Sequence, residues 1–109
     1  MSLTALEASL RATLRAQVVP TAEDKRLFGR TDLPFAISHG TLIPMGFSST
    51  LDDALSQSVE HAINMITAMF EMPRQQVYLL LSAAIDFDVA QAVDITKGVH
   101  GLIDLSMFQ

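Results

Sequence analysis

The residues with the most chemical potential lie between positions 83 and 104, in the stretch AAIDFDVAQAVDITKGVHGLID. This stretch contains carboxylate, amide, amine and imidazole side chains: Asp86, Asp88, Gln91, Asp94, Lys97 and His100. Asp86 and Asp88 are two positions apart, so on a strand both carboxylates would face the same side. They could bind a cation or act as a general acid and base. The pattern favours the simpler interpretation, a hairpin in which Asp86 closes a helix-to-strand turn and Asp88 faces water.

The three histidines, His39, His61 and His100, are far apart in the sequence and show no HxH or HExxH spacing. A catalytic metal site needs about three converging protein ligands, so the spacing gives no sign of one. His61 lies in the middle of a predicted helix, where we expect it to be solvated or half-buried. His39 precedes Gly40 and is expected in a loop, where an exposed ligand could still lie.

The composition predicts one folded domain over residues 1–109, since 50% of the residues are hydrophobic and only 17% are charged. A small chain with such a high apolar fraction is expected to cover part of its surface with a partner or a second copy. A net charge of −5, with seven scattered basic residues, argues against nucleic-acid binding. The absence of cysteine excludes disulfides, zinc-thiolate sites and a cysteine nucleophile. Without a signal-like start or a long apolar run, we expect a cytoplasmic chain that does not contact membranes.

The elements that must position these residues are predicted by periodicity. Residues 6–18 alternate apolar and polar side chains without a break, which favours a strand, although leucines three or four apart also suit a helix. Residues 19–34 contain two prolines and a glycine, which predicts a long surface connection. Short strands are expected at residues 35–38 and 41–45.

Two helices are predicted after these strands. Thr50 is a suitable N-cap for a helix from Leu51 to Phe70, because acidic residues follow it in the first turn. Pro73 suits the first position of a second helix that extends to about Ile85. This second helix is apolar nearly all round, so we expect it to be the most buried. Two strands and a turn around Gly98 complete an α+β fold: two antiparallel helices packed on a small, mostly antiparallel β-sheet.

The stretches TLIPMGFSSTLDDALSQSVEHAINMI and PRQQVYLLLSAAIDFDVAQAVDITKGVHGLI resemble the C-terminal part of the acetamidase/formamidase family. The resemblance covers about residues 34–109 and depends on the order and spacing of several short motifs. It also favours a strand at residues 6–18. The resemblance implies hydrolysis of short aliphatic amides to a carboxylate and ammonia. It also implies a divalent metal, zinc or calcium, in the full-length proteins.

The chain departs from the family in ways that affect function. Ile85 stands where the family usually has glycine, and Asp88 where it often has a basic residue. Family members are also much longer, and their histidine- and acid-rich GDxHAxQGDGE motif is absent here. We therefore expect a C-terminal fragment or reduced homologue that is inactive in isolation. By resemblance and exposure, the catalytic candidates that remain are His39, Asp86 and Gln91.

Two other functions are compatible with the residues. The chain could be a non-catalytic assembly module that forms a homo-oligomer or binds a missing N-terminal amidase portion. A helix-turn-helix made by the two predicted helices would instead bind DNA. The acidic charge and the weakly basic second helix argue against the DNA-binding interpretation.

Overall fold

The computed structural model describes residues 9–29 and 32–108 of the chain. The helices are α1 (Thr21–Phe28), α2 (Leu51–Phe70) and α3 (Arg74–Ala84), with a final 3₁₀ turn at Leu105–Phe108. The strands are β1 (Phe35–Ser38), β2 (Thr41–Ser48), β3 (Phe87–Gln91), β4 (Lys97–Gly101) and β5 (Ile103–Asp104). No helix in the described ranges is long and apolar enough to cross a membrane.

The strands form one antiparallel sheet in the order β1-β2-β4-β3, and β5 pairs with β2. The β1–β2 hairpin closes at His39 and Gly40, with φ angles of 50° and 80°. Positive φ at both central residues is the geometry of a type I′ turn, which matches the twist of the strands. The predicted short strands and the β3–β4 hairpin are confirmed, as is the α+β class.

Helix α2 is the central element of the core. Thr50 caps it as predicted, because its hydroxyl accepts a hydrogen bond of 3.2 Å from the Asp53 backbone N–H. One face of the helix is fully buried and packs on β2 and β4. The buried residues of α2 are Ala54, Ser58, His61, Ala62, Ile63, Met65 and Ile66. This stripe of residues three or four apart holds the helix on the sheet.

Close backbone packing fixes α2 against β2. A Cβ atom on Gly46 would lie 2.1 Å from the carbonyl oxygen of Ala54 and 2.5 Å from the backbone nitrogen of Ser58. Only glycine fits this position without displacing the helix. Beside it, the Ser58 hydroxyl donates a buried hydrogen bond of 3.1 Å to the Pro44 carbonyl. The lateral position of every α2 side chain is therefore set by β2.

Helix α3 differs from its prediction. It begins at Arg74, with Pro73 as the N-cap residue, and only Val77 and Leu81 are buried. Tyr78 and Leu79 are 55% and 66% exposed. The prediction that this helix is the most buried is wrong, because α3 packs along one side of α2 and leaves its other face without a neighbour in the described structure.

The N-terminal region also differs from its predictions. Residues 9–20 form neither strand nor helix, so the predicted strand is wrong there; residues 6–8 lie outside the described residues. The connection predicted at residues 19–34 contains α1. Acidic residues in the first turn of α1 and basic residues in its last turn complement the helix dipole. The prediction of a surface connection gave weight to the two prolines and overlooked this charge pattern. Phe28 at its end packs against Phe35, with ring centroids 4.9 Å apart.

Candidate functional site

His61 is a titratable side chain that the fold buries in its interior. It is 4% exposed and lies between α2 and the sheet. Its Nδ1 atom is 3.2 Å from the Met45 carbonyl oxygen. The Phe35 ring meets it edge-on, with centroids 6.2 Å apart and an interplanar angle of 83°. The expectation of a solvated or half-buried histidine is wrong, because residue 61 falls on the apolar stripe of α2.

The surroundings of His61 assign its proton. A carbonyl oxygen only accepts, so Nδ1 carries the hydrogen, and Nε2 is left with a lone pair. Nε2 is buried and has no hydrogen-bond partner among the described residues. Burial lowers the pKa of His61 below its ordinary value, while the Met45 carbonyl and the Asp32 carboxylate oppose that effect. His61 is therefore a neutral imidazole at neutral pH.

A polar cleft of about 200 Å³ lies beside this imidazole. It is formed by the segment before β1 and by one face of α2. Its lining residues are Asp32, Leu33, Gln57, Glu60, His61 and Asn64. The Gln57 Oε1 atom accepts a hydrogen bond of 3.2 Å from the Phe47 backbone N–H. The Arg74 guanidinium donates to Asn64 Oδ1, which anchors the far rim of the cleft to α3.

Sequence reasoning missed this cleft because its parts come from separate stretches of the chain. Residues 32–33 and 57–64 share no motif, and they meet only because β1 pairs with β2 and α2 packs on β2. One signal was present: a separate polar row on α2 places Gln57, Glu60 and Asn64 three or four residues apart around His61. A polar row beside a histidine at that spacing indicates a shared helix face.

The three catalytic candidates from the sequence lie at different places on the sheet. His39 is exposed in the β1–β2 turn, where its Nδ1 atom is 2.9 Å from the Ser38 hydroxyl. Asp86 is exposed between α3 and β3. Gln91 ends β3, and its side chain organises the next turn: Nε2 donates to Asp94 Oδ2 at 2.7 Å.

The sheet topology keeps these candidates apart. The β4 strand separates β2 from β3, so His39 and Asp86 are about 10 Å apart in the lateral direction alone, at a strand spacing of 4.7–4.9 Å. Gln91 lies at the opposite end of β3 from Asp86. Catalysis by His39, Asp86 or Gln91 stays a prediction, and any joint action would need groups that bridge these distances.

The acidic pair at positions 86 and 88 is split by the start of β3. Asp88 lies on the strand opposite His100, whereas Asp86 precedes it. In the part of the chain that the structure describes, no group of three or more histidines, cysteines or acids could hold a metal ion. Zinc or calcium binding stays a prediction for the longer proteins that the sequence resembles.

The fold and cleft define an α+β chain with a small antiparallel sheet under a long central helix. This arrangement matches the crystal structure of an acetamidase from Bacillus halodurans, with a TM-score of 0.67 and 24% sequence identity. The match covers 76% of this chain but 27% of that chain. No protein-family model matches the sequence, and no curated protein matches it. The chain therefore has an acetamidase-like fold, as its sequence predicted.

Proposed function

We propose that this chain functions in the hydrolysis of short aliphatic amides to a carboxylate and ammonia, as part of a larger catalytic unit. The structural match carries the proposal: it extends over 76% of this chain and only 27% of an acetamidase. The rest of the catalytic unit, on this proposal, is contributed by residues outside the matched portion. The chain without cysteine suits a reducing compartment, and we propose that the reaction is cytoplasmic.

The cleft beside His61 is the part of this chain best suited to a small polar substrate. About 200 Å³ is several times the volume that one water occupies in the liquid, roughly 30 Å³, so a two-carbon amide fits. Asp32 and Glu60 contribute carboxylates, which accept hydrogen bonds from an amide N–H₂ group. Such contacts would orient the substrate at this wall of the site.

Orienting the substrate is not sufficient for amide hydrolysis. The attacking water must also be activated, by a metal ion or by a general base, and the leaving amine must be protonated. His61 is unsuited to protonate the amine, because burial lowers its pKa and keeps the imidazole neutral. We propose that the activating groups lie in the remaining portion of the catalytic unit.

The test is a chimera in which this chain replaces the structurally matched segment of the Bacillus halodurans acetamidase. We expect the chimera to release ammonia from acetamide and formamide. Glu60→Gln should raise KM, because the neutral amide accepts a hydrogen bond less strongly than the carboxylate. Glu71→Gln is the matched control, since Glu71 is exposed at the end of α2 and should leave KM unchanged. A chimera that folds, by circular dichroism, and releases no ammonia would overturn the proposal.

A further inference from the structure

The segment at residues 9–18 has the pattern of a strand but no partner strand. Leu10, Leu14 and Val18 are 84%, 90% and 93% exposed, although they belong to one unbroken apolar face. Between them lie polar residues that include Arg11 and Arg15. If this segment pairs with a sheet, alternation over ten residues gives it one apolar and one polar side. Full exposure of the apolar side costs free energy that pairing with a sheet edge would recover.

The sheet offers a suitable edge at β3. In the strand order β1-β2-β4-β3, β3 is terminal, and no other described strand pairs with its outer side. An unpaired edge presents a row of backbone N–H and C=O groups to any strand that approaches. Val89 on this strand is 41% exposed.

A groove of about 660 Å³ runs beside the same edge, between α2, α3 and the start of β3. Most of its lining side chains are apolar: Leu55, Val59, Ile63, Tyr78, Leu81, Ile85 and Phe87. Its polar lining residues are Ser56, Glu60, Arg74 and Ser82. Phe87 packs on the hydrophobic core, so the groove lies on the helix-covered face of β3. A strand added to β3 would therefore place its apolar side against this groove.

Charged side chains favour the same orientation of the added strand. Because side chains alternate along a strand, Asp88 points away from the face that Phe87 occupies. The segment at residues 9–18 carries two arginines and no acid, in a chain of net charge −5. With its leucines on the groove, Arg11 and Arg15 lie on the same face as Asp88. Opposite charges on neighbouring strands stabilise the pair.

We propose that residues 9–18 of one copy add as an antiparallel or parallel strand to the outer edge of β3 in a second copy. Within one chain the segment leads into α1, which packs on α2 and contacts Phe35 of β1. β1 is the sheet edge opposite β3, so the end of the segment lies at the edge of its own sheet that is farther from β3. Reciprocal exchange gives a two-fold symmetric dimer. This dimer does not depend on the proposed amide hydrolysis, although Glu60 lines both the groove and the cleft at His61.

The first test is the mass of the full chain in solution, measured by sedimentation equilibrium over a range of concentrations. We expect a reversible dimer. Leu14→Asp should raise the dimer dissociation constant at least tenfold, since it places a charge against the apolar groove. Thr13→Asn is the matched control: it changes the adjacent residue on the polar side without adding a charge beside Arg11 and Arg15, and should change the constant by no more than about threefold. Both residues are exposed, so neither variant should alter the circular dichroism of the domain.

The second test reverses charge across the interface. Asp88→Arg should weaken the dimer by repelling Arg11 and Arg15, and Arg11→Asp with Arg15→Asp in the same chain should restore it. A chain that is monomeric at all concentrations would overturn the proposal. A dimer that responds equally to Leu14→Asp and Thr13→Asn would also overturn it, as would failure of the charge reversal to restore dimerisation.

Discussion

Replacing Gly46 by alanine should destabilise the fold more than its single added methyl suggests. The new Cβ atom would lie 2.1 Å from the Ala54 carbonyl oxygen and 2.5 Å from the Ser58 nitrogen, both in the α2 backbone. The glycine has an ordinary φ, so alanine is excluded by space and not by conformation. Relief of the clash requires α2 to move by roughly 1 Å, in a core packed as densely as a crystal.

The size of the loss in free energy of unfolding depends on the packing and hydrogen bonds that this movement disturbs. Overpacking of a core costs about 1–3 kcal/mol. The hydrogen bonds from Ser58 to Pro44, 3.1 Å, and from His61 to Met45, 3.2 Å, flank Gly46 and would both lengthen. Each contributes about 1 kcal/mol to stability. We expect a loss of about 3–5 kcal/mol, from a total free energy of unfolding of about 5–15 kcal/mol for a domain of this size.

Urea unfolding followed by circular dichroism measures this loss. Gly98→Ala is the matched control, because its added Cβ would meet the Phe47 ring at 3.4 Å and the Gln91 Cβ atom at 3.7 Å, both ordinary contact distances. That variant should stay within about 1 kcal/mol of the natural chain. If Gly46→Ala and Gly98→Ala have the same midpoint, α2 does not rest on the β2 backbone and the reasoning is refuted.

Three further changes test the core and its cap. Thr50→Ala should cost about 1 kcal/mol in urea unfolding because the α2 cap is lost, and Ser49→Ala, outside the helix, should cost less than half of that. Ile66→Ala should cost about 2–5 kcal/mol, since Ile66 is fully buried, whereas Leu79→Ala, 66% exposed, should cost under 1 kcal/mol; equal losses would contradict the core assignment. Burial lowers the pKa of His61 below 6.5. As the pH falls, the unfolded chain therefore binds a proton at this histidine before the folded chain does, and stability that is present above pH 6.5 is lost. His61→Phe should reduce the pH dependence of the free energy of unfolding below about pH 6.5; an unchanged slope would contradict this prediction.

Local signals in the sequence were sufficient for several elements. The cap at Thr50 determines where α2 begins, and the apolar spacing determines that the following residues form a helix. Both signals act over a few neighbouring residues, and both predictions are confirmed. The same holds for the turn at His39 and Gly40, where glycine permits the positive φ that closes the hairpin. These features depend on the backbone and its nearest neighbours, which a single sequence displays directly.

The features that the sequence did not reveal depend on distant neighbours. The apolar composition of α3 predicted burial, but Leu79 is exposed because the described structure provides no second layer over that helix. The alternation at residues 9–18 predicted a strand, but a strand requires a partner, and no described strand of this chain pairs with the segment. The cleft at His61 joins segments about thirty residues apart, and only the packing of β1 and α2 on β2 brings them together.

On the proposed function, this acetamidase-like fold contributes one part of an amide-hydrolysing unit, and the activating groups lie in the remaining portion. Ammonia release from formamide and acetamide by the purified chain, with and without added zinc or calcium, tests this proposal. We expect release no faster than the buffer blank under every condition. Turnover by the chain alone that is lost in His39→Ala or Asp86→Ala would contradict it, because a complete site would then exist within this chain or between its copies.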